Sequence, residues 1–453
     1  MNPGPPIVYH NNSHSSYWRS MMGLPQRILP EKTKRSKSRA IVQGISEWMC
    51  YYANYGVECP GVLAIDECIE KHVEKGIDQI VWNCGRSVVD YWSDLAHTTE
   101  MCEESTVVGG NDWSFVRNVM DRVCPLCRAI EICRRKDIPL LGRLGMNRHY
   151  GGEKHAGVTS RFAREHPEWH EKTRPGKRVP GKLCYGIEAV RRERIDILLE
   201  IQRVGVDALV LDFCRQIPIL LYHESLVEAY MRETAEDPRK ILSIEPEEHR
   251  EWFQWRADIL TGFMEELRQE VRDQEKKLGR ECQIIARVPD SVEWVNVACG
   301  LDVERWCRRD LIDATMLSPF PICIDDPERA PEWHVKTAHR YGKSCIGGIG
   351  SLKLIRNGET RNTGFYHPQP VYELAREQYE AGVDAMSLYQ SETLVRMDYL
   401  SEFLKDLGER SIVAEKARGL PRPKLPEDYM IGMDWHTRQR HSVSVEKAGD
   451  DAF

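Results

Sequence analysis

No stretch of this chain stays apolar for the roughly 20 residues that a bilayer-spanning helix needs, so a membrane partner is not expected. The first twenty residues carry His10, Asn11, Asn12 and His14 where a secretory leader would place an apolar core behind a basic start, which points to a cytoplasmic protein. Excess charge is small: 63 basic against 70 acidic residues leave a formal −7. With the basic residues spread along the chain, nucleic acid is not an expected partner. One local run, Lys32, Lys34, Arg35, Lys37 and Arg39, reads as a solvated loop. A Gly-x-Gly-x-x-Gly turn is missing; Gly347-Gly348-Ile349-Gly350 comes late and with other spacing, which argues against a dinucleotide cofactor. There is no HExxH, and the HxxxE of His149 and Glu153 is unspecific. Cys124 and Cys127 form a CxxC with no second pair at zinc-ligand spacing, so neither a metal nor any other cofactor is expected. Fifteen cysteines are an odd number and most, such as Cys84, Cys214, Cys282 and Cys345, sit in apolar runs, as reduced buried thiols do.

Short β-branched and apolar runs bounded by polar residues are the pattern of buried parallel strands. Eight are present: Ile7 to Tyr9, Gln79 to Asn83, Pro139 to Arg143, Ala208 to Asp212, Gln283 to Val288, Ala314 to Ser318, Ser344 to Gly347, and Ala385 to Tyr389. Helical segments lie between them, such as Ile187 to Arg203 and the long charged Glu247 to Lys277. Three helix-to-strand junctions share one grammar, Lys-Gly-Ile-Asp78, Val-Gly-Val-Asp207 and Ala-Gly-Val-Asp384, in which glycine ends the helix. This alternation predicts an α/β fold, a (β/α)8 TIM barrel with long active-face insertions at 11–60 and 145–182. The barrel is expected over 1–410. Residues 411–453 form a tail or small appendage, with His441 to Val445 as one strand.

Side chains converge at the carboxyl ends of barrel strands, so position ranks the candidates. Asp212 ends an apolar strand with Arg215 close behind, and is the first candidate for a catalytic carboxylate. Glu392, just past the last strand, and Glu153, in the loop after the third, are the candidates for a second one, since a glycosidase pairs a protonated with an ionised carboxyl. Arg143, Asn147, Arg148 and His149 form a loop that can hydrogen-bond a polyhydroxylated ligand or surround an anion. Asp290, Trp82 and Tyr389 lie near other strand ends. Asp313 opens its strand and reads as structural. Twelve tryptophans and seventeen tyrosines against nine phenylalanines favour aromatics with a polar handle, on which sugar faces stack; Trp18, Trp48 and Trp92 lie in or beside the same loops.

Two motifs together carry a resemblance. Ser160-x-Phe162-x-x-x-His166-Pro-Glu-Trp169, followed by Val206-Asp-Ala-Leu-Val-Leu-Asp212-Phe-Cys-Arg215, resembles the barrel proteins known as family-10-like glycosyl hydrolases, as do the segments Ile7 to Asn12 and Gly382 to Gln390. Two positions depart from that pattern: Arg148 stands where an Asp is expected, and Ala208 where a Gly is expected. The resemblance implies a carbohydrate-active barrel, most simply a glycoside hydrolase with Asp212 in its carboxylate pair. A barrel lyase, isomerase or epimerase on a sugar acid, with His149 as base and Arg143, Arg148 and Arg215 as clamps, remains an alternative, as does a sugar-binding barrel without activity. The expected partner is a carbohydrate or other polar small molecule; self-association is left open.

Overall fold

In a computed structural model, residues 39–53, 61–147, 149–214, 217–240, 246–318, 329–349, 355–356, 359–360, 368–396 and 400–419 are described. Short apolar runs, too brief for helices, become strands buried on both faces. They are β1 (Ile41–Ser46), β2 (Gln79–Gly85), β3 (Leu140–Gly145), β4 (Ala208–Asp212), β5 (Gln283–Pro289), β6 (Ala314–Ser318), β7 (Ser344–Ile349) and β8 (Ala385–Tyr389). All pair in parallel, each with its neighbours in sequence, and β1 closes on β8 with Ile41 opposite Ala385. Around this ring run α1 (Leu63–Glu74), α2 (Pro125–Lys136), α3 (Glu188–Val204), α4 (Pro246–Leu278), α5 (Pro331–Arg340), α6 (Pro368–Ala381) and α7 (Arg410–Gly419), the last packed on α6. The chain is a (β/α)8 barrel.

The first strand is not where the sequence placed it. Ile7 to Tyr9 lies outside the described residues, and Ile41–Ser46 holds the place between β2 and β8. Its apolar run is broken by Gln43, which bonds the neighbouring strand, and by Gly44, which makes room for the helix packed outside it. The buried Gln43 amide donates to Gln79 at 2.8 Å. Gly44 lies so close to α1 and the chain after β8 that a Cβ there would come within 2.8 Å of His72 and Ser391. The segment 11–60 is therefore not one loop insertion, since it contains β1 and the short helix Trp48–Ala53.

The shared junction grammar acts at the amino ends of the strands. Gly76, Gly205 and Gly382 adopt φ of +82°, +120° and +102°, which an L side chain rarely tolerates, so the helix can stop and the chain turn inward. Two residues on, the aspartate clamps the strand beside it. Asp78, Asp207 and Asp384 accept from the N–H of Val42, Leu140 and Cys345 at 2.7–2.9 Å, and Asp313 does the same for Ile284 at 2.8 Å. Each also donates its own N–H to the carbonyl oxygen of that same residue. Thus β2, β4, β6 and β8 are each locked to the strand before them, and Asp313 is structural.

No cysteine among the described residues is in a disulfide, and all but the half-buried Cys50 are buried. Cys124 caps α2, its sulfur accepting from the Cys127 N–H at 3.4 Å. Among the described residues no helix is long and apolar enough to cross a membrane, and no cluster of His, Cys, Asp or Glu could hold a metal ion.

Candidate functional site

The carboxyl ends of the strands bring one connected group of charges together. Asp212, last residue of β4, sits between two guanidinium groups: Arg143 of β3 donates from Nε to its Oδ2 at 2.7 Å, and Arg287 of β5 donates from Nη1 to its Oδ1 at 2.8 Å. The Cys214 N–H adds a third donor at 3.0 Å. Arg143 also donates from Nη1 at 3.1 Å to Glu47, which directly follows β1, and at 3.1 Å to Asn83 of β2. Arg86 donates to the same Glu47 oxygen, and Arg287 reaches Ser318 of β6 at 2.7 Å. The Tyr389 ring of β8 lies under both guanidiniums, 5.5 Å from Arg143 and 4.6 Å from Arg287. Past β8, Glu392 accepts from the Glu47 N–H at 3.4 Å. In a barrel, side chains from alternate strands form layers across the interior, and Asn83, Asp212, Ser318 and Tyr389 come from the four even strands.

Burial forces these charges into pairs, because an isolated ion in a dry interior is costly. Asp212 is buried; burial alone would raise its pKa, but Arg287 and Arg143, with the Cys214 N–H, hold it well below the usual carboxylate range. Glu47 is likewise pushed up by burial and pulled down further by Arg86 and Arg143, to about 2. Glu392 has no such cation in contact. Burial, and then the charge on Glu47, push it up to about 8, and its Oε1 has no hydrogen-bond partner among the described residues. Asp90, which accepts from the Asn83 amide, is raised by burial to about 7 against the pull of Arg86. Glu392, bonded to the Glu47 backbone, and the Glu47 carboxyl are thus shifted in opposite directions, the first towards the protonated and the second towards the ionised form.

Supporting contacts fix the strand ends. Arg194 of α3 is buried and donates to the carbonyl oxygens of Arg86 and Gly145. His72 of α1 is held neutral by burial, its pKa falling to about 4, and its Nε2 meets the Ser391 hydroxyl at 2.8 Å, beside Glu392.

Of the residues singled out from sequence, Asp212, Arg143, Tyr389 and Glu392 belong to this group. Asp212 takes its cations from Arg143 and Arg287, while Arg215 and Arg148, like Trp18, lie outside the described residues. Asn147 donates to the Ile219 carbonyl at 2.8 Å, tying the loop after β3 to that after β4. His149 is buried and neutral, its pKa driven well down by burial and by Arg194 and His170, and its N–H bonds the Gly181 carbonyl at 2.7 Å. That backbone bond joins it to the ribbon of His170–Lys172 and Arg178–Leu183. Glu153 is exposed on a 3-10 turn. Asp290 is buried and takes a different cation, Arg329, at 3.1 Å. Trp82 and Trp48 are enclosed in the core. Trp92 is half-buried, its indole donating to the Met120 carbonyl. Glu47, Arg86, Arg287, Asn83 and Asp90 were missed. The rule that found Asp212, an acid closing an apolar run, also fits Ile45-Ser46-Glu47.

No protein-family model and no curated protein sequence matches the chain. Among solved structures, similar barrels include the PgaB (BpsB) glycoside hydrolase domain from Bordetella bronchiseptica, with a TM-score of 0.55 and 10% identity, covering 82% of this chain and 99% of that one. The alpha-L-fucosidase isoenzyme 2 from Paenibacillus thiaminolyticus gives 0.53 at 12% identity, over 83% of this chain and 49% of that one. The catalytic domain of the beta-amylase from Paenibacillus polymyxa gives 0.50 at 8%, over 82% and 99%. At such identities the likeness is one of fold.

Proposed function

We propose that this barrel cleaves glycosidic bonds, with Glu392 as the proton donor and Glu47 as its ionised partner. The observation that carries the reading is the split between those two neighbouring carboxyl groups, one raised to about 8 and one lowered to about 2. Glycoside hydrolysis needs such a pair. The Glu392 O–H protonates the leaving oxygen, the bond from that oxygen to the anomeric carbon breaks, and the positive charge that develops on the sugar faces the Glu47 carboxylate. Water then adds to the anomeric carbon and its proton returns to the pair. In this reading Asp212 is a fixed negative charge that orients Arg143 and Arg287, since both of its oxygens are already engaged by donors. The kinship of fold with three glycoside-hydrolase barrels is compatible with this chemistry.

Hydrolysis of a panel of aryl glycosides by wild type, Glu392→Gln and Glu47→Gln tests the reading. A general acid contributes roughly 10²–10⁴-fold, so Glu392→Gln should lose that much of kcat. Wild-type turnover should fall as pH rises through about 8, where Glu392 gives up its proton. Unchanged turnover in Glu392→Gln removes the mechanism. For a sugar-acid lyase or epimerase, exchange of a carbon-bound substrate proton in deuterated water is the distinguishing result.

A further inference from the structure

We infer that this site takes a saccharide bearing an anionic substituent, a carboxylate or a sulfate ester, gripped by Arg86 and Arg143; the inference rests on the acid–base reading above. Three guanidinium groups, those of Arg86, Arg143 and Arg287, meet at the strand ends, and two carboxylates, Glu47 and Asp212, are bonded to them. Both carboxylates are already engaged. Asp212 takes donors on both oxygens, while Glu47 Oε1 takes Arg86 and Arg143 and its Oε2 lies 3.5 Å from the Cys50 thiol.

Donors are left over. Arg143 Nη2 is enclosed with no partner among the described residues although the side chain is 0% exposed, and Arg86 Nε is in the same position. A buried guanidinium N–H without an acceptor costs free energy, and an oxyanion, whether carboxylate or sulfate, offers at least two oxygens, one for each such donor. Of the remaining acids nearby, Glu392, raised to about 8, supplies little of the missing charge near neutral pH, and Asp90, raised to about 7, only part of it. Near neutral pH these described groups therefore set three positive charges against two firmly ionised carboxylates.

That imbalance matters for the reaction. A neutral sugar would leave the surplus positive charge beside a developing oxocarbenium ion, and an anionic substituent cancels it. Arg86 provides the approach: its side chain keeps 20% exposure. It lies over Gly145, where a Cβ would come within 2.9 Å of its stem.

Calorimetric titration of the full chain with glucuronate, glucose 6-sulfate and glucose, beside hydrolysis of the nitrophenyl glycosides of the same three sugars, tests the inference. At least one anionic sugar should bind roughly tenfold more tightly than glucose; which one does so separates carboxylate from sulfate recognition. Arg86→Gln should abolish the preference, and Arg86→Lys, which keeps the charge, should retain part of it. Equal binding of all three, no binding of any, or a preference that survives in Arg86→Gln overturns the inference. Cleavage of the neutral glycoside as fast as the charged ones removes the anion preference and leaves the acid–base pair standing. Tight binding of an anionic sugar with no glycoside cleaved upholds the anion grip and removes the acid–base pair.

Discussion

Replacing Glu392 with Gln should make the protein more stable at alkaline pH, and the size of the gain follows from its surroundings. The folded state raises this carboxyl from an ordinary 4.5 to about 8, through burial and the charge on Glu47. In the unfolded chain the group ionises near 4.5, while the folded chain keeps the proton until about 8. A group with a raised folded pKa contributes stability that is fully present below its unfolded pKa and is lost as pH rises through the folded one. Between 4.5 and about 8 that loss, at about 1.36 kcal/mol per pH unit, is on the order of 5 kcal/mol. Glutamine has nearly the same shape and no proton to lose, so the variant is spared this slope, and all other titrations are common to both proteins. Urea unfolding of wild type and Glu392→Gln at pH 5 and pH 8, with midpoints and m-values, gives the difference directly. The two should lie close together at pH 5, with the variant ahead by several kcal/mol at pH 8. A difference that is the same at both pH values would refute a proton held on Glu392 in the native state.

Asp212→Asn leaves two buried guanidiniums facing a neutral amide, and should cost roughly 3–5 kcal/mol in urea unfolding at neutral pH; a loss below about 1 kcal/mol would mean that Arg143 and Arg287 find other partners. Glu153→Gln, on an exposed turn, should leave stability within about 0.5 kcal/mol and turnover unchanged; a marked loss of turnover would bring the loop after β3 into the site. Gly181→Ala should be poorly tolerated, since φ is +75° and the new Cβ would fall 1.6 Å from the His149 carbonyl oxygen. A thermal midpoint within about 2 °C of wild type would show that the ribbon can retreat from His149 at little cost.

Seven of the eight barrel strands were legible because a strand covered on both faces reads as a short, mostly apolar run, as Ala208–Asp212 and Ala385–Tyr389 do. Ile41–Ser46 was not, because Gln79 on one face and His72 of α1 on the other hold a glutamine and a glycine in mid-strand, while the apolar Ile7 to Tyr9 mimicked the expected signal. That misplacement hid Glu47, which was read as part of a loop. Asp212 and Glu392 were singled out by their places at strand ends. What sequence could not give was their charge state: whether a carboxyl is clamped by two guanidiniums or left beside another acid depends on residues far apart in the chain, as Arg143 to Asp212 and Glu47 to Glu392 are. Arg287 was passed over for Asp290, three positions later, since charge type alone does not tell which end-of-strand residue turns inward.

The aspartates that open the even strands also act as a ruler. Asp78, Asp207, Asp313 and Asp384 each stand five positions ahead of an interior group at the far rim: Asn83, Asp212, Ser318 and Tyr389. Successive residues of a strand face opposite sides, so a single residue inserted anywhere along that span would send the rim group outwards among the helices while the anchored foot stayed in place. The amino-terminal end of the barrel thereby sets which side chains face the interior at the opposite rim.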